Sequence, residues 1–327
     1  MITNPGDLEF PLLGDTVAAA FTPMNADGSI NLGLIPRYAS YLARSSVDGV
    51  FVNGTSGESM SLTVDERKAI AEQWLKCRSE FGLQIIVHCG AGNLSESKIL
   101  AKHAQEMKAD AIAAMCPSFF KPDSAESVVD YLKEIAAAAP DTRFLYYHFP
   151  TMNGVTVSVK RIVELAFKCI PTLVGVKFTA FELDDAMMAS CMRDNNCYRI
   201  YQIFTGYDQM LVAGYAMGCS SSITAGANFF GPTINRMHEC LHGSDKNLEL
   251  ARKLQREIIQ TFDIISQSGK CHFIPACKLA MRLFTGLNFG PARAPLPRVD
   301  PSTLNDVKQS LVEIENSSLV EIKTIFG

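Results

Sequence analysis

Phe144-Leu-Tyr-Tyr-His-Phe149 and Leu173-Val-Gly-Val-Lys-Phe178 are two strand-length apolar runs separated by a stretch of helical period. A strand that is apolar on nearly every residue has both faces covered, and a helix between two such strands makes them parallel neighbours. The same unit recurs along the chain: further runs lie at Val17–Met24, Gly49–Gly54, Ile85–Cys89, Ala111–Cys116, Ile200–Gly206 and Cys219–Ala225. Helix starts are marked between them by Thr63-Val-Asp-Glu66 and by Asp123-Ser-Ala-Glu126, the second helix ending at Pro140. Eight βα units predict an α/β fold of the closed (β/α)8 TIM-barrel type over residues 1–230. From Pro232 onward the pattern is helical with turns near Gly243, Gly269 and Gly286, which predicts a C-terminal helical extension over residues 231–327. Within it, Asn288–Pro297 reads as a loop before a last helix near Ser302–Ser318.

Composition narrows the function classes. The 327 residues are 47% hydrophobic and 20% charged, with a formal net charge of −4 and no basic run interleaved with aromatics, so a nucleic-acid face is not expected. The longest apolar runs, such as Val17–Phe21 and Ala111–Cys116, fall far short of the ~18–20 residues that cross a bilayer, and no membrane association is expected. The first residues carry no basic segment followed by an apolar one, so the expected location is cytoplasmic. The ten cysteines, among them Cys89, Cys116, Cys169 and Cys219, lie in apolar segments without a C-x-x-C pair, and are expected to be reduced, buried thiols.

In a barrel the functional residues sit at the carboxyl ends of the strands. The second run ends in Gly54-Thr-Ser-Gly-Glu58, either a tight βα turn or a cradle of hydroxyls and backbone N–H groups for a carboxylate or phosphate. The sixth run places Lys177 between Val176 and Phe178. That lysine either snorkels outward or lies in a desolvated pocket, where its pKa falls and the neutral amine becomes a nucleophile for ketones. The fifth run ends Tyr146-Tyr-His-Phe-Pro150, offering phenols and an imidazole near the barrel mouth, or else plain core aromatics.

Together, Gly54-Thr-Ser-Gly-Glu58, Tyr147-His-Phe-Pro150 and Gly175-Val-Lys177 resemble the pyruvate-dependent class I aldolases of the N-acetylneuraminate lyase and dihydrodipicolinate synthase family. Phe51–Glu58, Ser61–Arg67 and Lys121–Pro140 are most similar to its animal-type members, and the resemblance spans about residues 12–300. It implies a lyase that cleaves N-acetylneuraminate to N-acetylmannosamine and pyruvate. Lys177 would form the Schiff base, so that no separate cofactor and no metal is needed, and Tyr147 would be the general acid/base. Thr55 and Ser56 would hold the substrate carboxylate, Thr179 would reach the sugar near C4, and Gly206, Asp208 and Gln209 would meet the polyol chain. The partners implied are a 2-keto sugar acid, pyruvate and further copies of the chain in a homotetramer.

Departures from the family pattern touch the sugar end. Gln209 stands where many sialic acid lyases have Glu, and Ala225 stands where a serine is usual. Pro117-Ser-Phe-Phe-Lys-Pro122 offers phenylalanines where bacterial members supply a tyrosine to the neighbouring subunit. A 2-keto-3-deoxy sugar acid aldolase and a dihydrodipicolinate synthase are the related alternatives, the synthase disfavoured because Thr151-Met152 replaces its carboxylate-binding arginine. A protein that binds 2-keto acids without catalysis is a further alternative, although it would have little use for Lys177 and Tyr147 together. Two motifs point elsewhere. His238-Glu-Cys-Leu-His242 has the zinc-peptidase form H-E-x-x-H, but Gly243 breaks the helix and no third ligand follows in spacing. Gly90-Ala-Gly-Asn-Leu-Ser95, with Asp110 downstream, nearly fits a dinucleotide fingerprint, yet follows the third run instead of the first.

Overall fold

The computed structural model describes residues 12–192, 201–244, 246–267 and 269–312. Eight strands, β1 (Thr16–Ala19), β2 (Gly49–Val52), β3 (Gln84–His88), β4 (Ala111–Ala114), β5 (Phe144–His148), β6 (Leu173–Phe178), β7 (Gln202–Thr205) and β8 (Ser221–Thr224), close into a barrel in sequence order. Every pairing is parallel, and β1 pairs with β8 through Val17 and Ile223. All eight runs are therefore strands, each shorter than or equal to its apolar run. Ile200 of the seventh run lies outside the described residues.

The double burial that made the strands legible is visible in the packing. Phe51, Ile86, Leu145, Tyr147, Phe204 and Ile223 fill the lumen. Their strand neighbours Val50, Val52, Ile85, Val87, Val176 and Ile203 face the outer helices. Alternation along each strand thus divides a continuous apolar run between two cores.

The helix Val64–Phe81 opens with the expected capping box: Thr63 Oγ1 accepts from Glu66 N (3.2 Å), and Thr63 N donates to Glu66 Oε2 (2.9 Å). At the other marked start the cap is Ser124, not Asp123, and its hydroxyl accepts from Ser127 N at 3.2 Å. That helix ends at Ala137, ahead of Pro140.

The division at residues 230/231 falls inside a helix, Ala227–His242, which packs on β1 and β8 as the barrel's last helix. Phe230 departs from helical geometry two residues before Pro232, whose ring cannot follow a regular helical turn. The helical extension proper is Leu248–Ile265, Phe273–Thr285 and Thr303–Val312. It shares one core with the barrel. Phe229 and Phe230 meet Phe262 and Phe284 at ring distances of 5.0–5.9 Å, and such pairs add about 0.5–1.5 kcal/mol each beyond area burial. The remainder of the last expected helix, to Ser318, lies outside the described residues. Cys89, Cys116 and Cys219 are buried free thiols, whereas Cys169 is only partly covered.

Candidate active site

Lys177 points into the barrel. Val176 and Phe178 turn outward, so strand alternation sends the lysine inward, where it is 3% exposed. Its Nζ lies 4.1 Å from the Phe51 ring centre and 4.2 Å from that of Tyr147. Burial pushes its pKa down to about 7, with the Asp208 carboxylate pulling the other way. A neutral amine is therefore populated near neutral pH.

Tyr147 is the register partner of Lys177 across β5 and β6. Its phenol oxygen is 3.0 Å from Thr55 Oγ1. Burial raises its pKa well above the usual phenol value, with the Thr55 contact acting in the opposite sense, so it stands as a protonated acid. The residues on either side, Tyr146 and His148, face outward and bond to each other (3.2 Å), with His148 stacked on Phe178. The imidazole expected near the barrel mouth is thus excluded from the lumen.

Thr55 and Ser56 are half-buried in the turn after β2. The turn is compact: Glu58 N donates to Thr55 O (3.0 Å), Ser59 N to Gly54 O (3.2 Å) and Thr22 Oγ1 to Gly57 O (2.7 Å). A side chain at Gly54 would come within 2.5 Å of the Phe51 ring, which explains the glycine. Glu58 at the far end has φ 58° and a buried carboxylate. Its Oε1 accepts from Lys278 Nζ at 2.7 Å, and its Oε2 from Arg293 N at 2.8 Å. Lys278 also donates to Pro291 O (2.8 Å), and Arg293 forms a two-point ion pair with Glu66. The helical extension therefore fixes the turn that carries Thr55 and Ser56.

The residues expected to meet the sugar come together at the ends of β6, β7 and β8. Thr179 continues the β6 ladder through its N–H to His148 O (2.9 Å). Its Oγ1 is buried and acts with Thr55 to offset the rise in the Tyr147 phenol, and a side chain on Gly206 would run into it at 1.9 Å. Asp208 is buried, its Oδ1 accepting from Gly226 N at 2.9 Å, and its backbone carbonyl accepts from Gln255 Nε2 at 2.8 Å. Burial pushes the Asp208 carboxyl up to about 6 against the effect of Thr224, Gly226 and Lys177. Gln209 is exposed beside it, and Ala225 is buried at the end of β8.

Three groups near the site are not among the expected site residues: His88, Arg67 and Lys278. His88 ends β3 facing the lumen, its ring edge-on to Tyr147, and its Nδ1 donates to Asn53 O (2.9 Å). Burial holds this imidazole neutral. The Arg67 guanidinium clasps His88 O (2.7 Å) and Gly90 O (3.0 Å), while Asn53 Nδ2 donates to Arg67 O (2.8 Å). These bonds brace the start of the Gly54–Glu58 turn from behind.

The two stray motifs resolve into structure. His238 Nε2 bonds to Ser220 O (2.9 Å) and Glu239 pairs with Arg236 (3.0 Å). Among the described residues no three His, Cys, Asp or Glu side chains gather as a metal site. Gly90 lets β3 approach Met115 N, which a side chain would meet at 2.8 Å, and Asn93 caps the helix Leu94–Glu106. That segment is a βα turn.

Known proteins resemble this arrangement along most of the chain. Residues 12–314 match the dihydrodipicolinate synthetase family. The chain is 35% identical over 309 residues to an N-acetylneuraminate lyase of Pongo abelii, covering 94% of both chains. It is 38% identical over 281 residues to that of Xenopus tropicalis, covering 86% of this chain and 89% of the other. In three dimensions it is similar to an N-acetylneuraminate lyase (sialic acid aldolase) from Aliivibrio salmonicida, with a TM-score of 0.84, 30% identity, and coverage of 95% and 99%.

Proposed function

The chain belongs to the dihydrodipicolinate synthetase family, and from that premise we propose that it is a Schiff-base aldolase cleaving N-acetylneuraminate to N-acetylmannosamine and pyruvate. The observation that carries the proposal is the buried, inward amine of Lys177, held near neutrality beside the Tyr147–Thr55 pair.

The neutral Lys177 amine adds to the C2 ketone of the open-chain substrate, and the carbinolamine hydroxyl leaves as water with the proton of the Tyr147 phenol, giving a protonated imine and a Tyr147 phenolate. Thr55 and Ser56 hold the carboxylate on C1. The cationic imine forms beside the Tyr147 ring, and a positive charge at that position favours the phenolate that burial alone disfavours. Tyr147 then takes the proton of the C4 hydroxyl, the C3–C4 bond breaks as the C4 carbonyl forms, and the electron pair enters the imine to give an enamine. Protonation at C3 and hydrolysis release pyruvate and restore the amine. The imine is the electron sink, so this scheme calls on no metal or cofactor. Thr179 and Asp208 would bind the sugar hydroxyls, with Gly206 leaving room for Thr179.

The related synthase chemistry needs a cation for a second carboxylate just after the Tyr147–Pro150 segment. Thr151 stands there, its hydroxyl 2.9 Å from the Tyr207 hydroxyl. A short 2-keto-3-deoxy sugar acid is the second reading, favoured by the small Ala225 and the exposed Gln209 at the tail end. Comparing kcat/KM for N-acetylneuraminate and 2-keto-3-deoxygluconate decides between them: preference for the short acid overturns the sialic acid assignment.

The proposal includes a homotetramer. The Phe119–Phe120 pair, 83% and 85% exposed, supports association between copies. Light scattering on the purified chain tests it. A cytoplasmic location accompanies this reading; no helix among the described residues is long and apolar enough to cross a membrane.

A further inference from the structure

Away from the lumen, a cavity of about 1000 Å³ opens between the loop after β1, the start of the helix Ile35–Arg44, the end of the helix Phe273–Thr285 and the segment 286–301. None of Thr55, Tyr147, Lys177 or Asp208 lines it. Three guanidinium side chains, Arg37, Arg282 and Arg298, reach it from three separate elements. Each is exposed to solvent, and among the described residues none is paired with a carboxylate. Asp300 is the single carboxylate of the lining, and its Oδ1 already accepts from Ser302 N at 2.9 Å.

Three like charges facing one concavity repel one another, and a concave wall focuses their field on the space between. An anion with several charged oxygens relieves that repulsion. Guanidinium groups suit such oxygens, because their planar forks make paired, charge-assisted hydrogen bonds to phosphate and carboxylate. The volume lies in the range of small-molecule sites, roughly 300–1,000 Å³.

The cavity wall is tied to the turn after β2. Pro291, in the lining, accepts from Lys278 Nζ, which holds Glu58 Oε1, and two residues on Arg293 N holds Glu58 Oε2. Displacement of this wall therefore moves the far end of the turn that carries Thr55 and Ser56. We infer that the cavity binds a small molecule bearing several anionic oxygens, phosphate or carboxylate, and that its occupancy alters the grip of the Gly54–Glu58 turn on pyruvate. The second half of this inference rests on the function proposed above; the binding half does not.

Calorimetric titration of the full chain with inorganic pyrophosphate, and separately with citrate, at ionic strength held constant with KCl, tests the binding. The expected result is saturable one-to-one binding that weakens at least ~10-fold in Arg37→Gln/Arg298→Gln, as loss of two charge-assisted contacts requires. The lysine double variant, Arg37→Lys/Arg298→Lys, should fall between the two, because it keeps the charge and loses the fork. Tighter pyrophosphate binding assigns a phosphorylated ligand, and tighter citrate binding a polycarboxylate. Binding that is absent, or equal in the glutamine variant with its melting curve unchanged, overturns the site. Saturating pyrophosphate should also shift the KM for pyruvate, read in the condensation direction with N-acetylmannosamine, in the wild type and not in the glutamine variant, whose basal kcat stays at the wild-type level. Saturable binding with an unmoved KM overturns the coupling. Calorimetry reads binding at the cavity whether or not the enzyme uses pyruvate, so the two failures are separable.

Discussion

Tyr147 and Lys177 are neighbours across the parallel ladder of β5 and β6, and the lysine Nζ sits 4.2 Å from the centre of the tyrosine ring. Strand register, more than loop conformation, sets this pair: both side chains take the inward positions of adjacent strands. The geometry places the Tyr147 ring beside Lys177 Nζ, so in the proposed reaction a nitrogen turned cationic by imine formation would favour ionisation of the neighbouring phenol.

The pH dependence follows from Lys177. Its folded-state pKa of about 7 lies below the ordinary 10.5, so the reactive amine is lost as pH falls through about 7. The kcat/KM profile should rise with pH through that region and level above it. Between about 7 and 10.5 the unfolded chain binds a proton that the folded chain does not, so this group adds stability as pH rises in that window. Lys177→Met should therefore raise the melting temperature near pH 7, with a gain that shrinks toward pH 10.5. A flat rate profile between pH 6 and 8 counts against a desolvated amine.

Tyr147→Phe removes the phenol and keeps the ring. Borohydride trapping of pyruvate should persist, while kcat falls ~10²–10⁴-fold, the usual contribution of a general acid/base. Unchanged turnover assigns the proton to another group.

Lys278→Met isolates the buried Glu58 carboxylate. Breaking a buried pair from one side costs roughly 3–5 kcal/mol, because the remaining charge is left uncompensated. Urea unfolding should show that loss and the KM for pyruvate should rise. Glu58→Gln/Lys278→Met should recover part of the stability, since the glutamine needs no counter-charge and still accepts from Arg293 N. A single-variant loss below about 0.5 kcal/mol, the usual range for surface changes, contradicts this role.

The barrel was legible because double burial makes parallel strands nearly all apolar, a local property. Strand ends were not. The run Val17–Met24 leaves the sheet after Ala19: Ala20 N still donates to Phe51 O, but Pro23 has no N–H, and Met24 N turns to Phe289 O. The direction of Lys177 depends on alternation counted from the barrel, which a lone strand does not supply. Glu58 and Lys278 are 220 residues apart, so their pairing follows only from how the extension folds back onto the barrel. For the same reason the expected boundary at 230/231 cuts a helix that the barrel needs.

Tail specificity reflects what the sugar end lacks. Exposed Gln209 and the methyl of Ala225 supply neither a charged acceptor nor a serine hydroxyl. Each neutral hydrogen bond is worth about 0.5–1.5 kcal/mol net, so sialic acids shortened at C7 to C9 should keep kcat/KM within ~10-fold of the parent. A much larger penalty points to tail contacts made by other residues.

Borohydride reduction in the presence of pyruvate, followed by mass mapping of the peptides, bears most directly on the central claim. Reduction should inactivate the protein and fix one pyruvate-derived adduct on the peptide containing Lys177. An adduct on a different lysine, or full activity with no adduct, contradicts the Schiff-base mechanism.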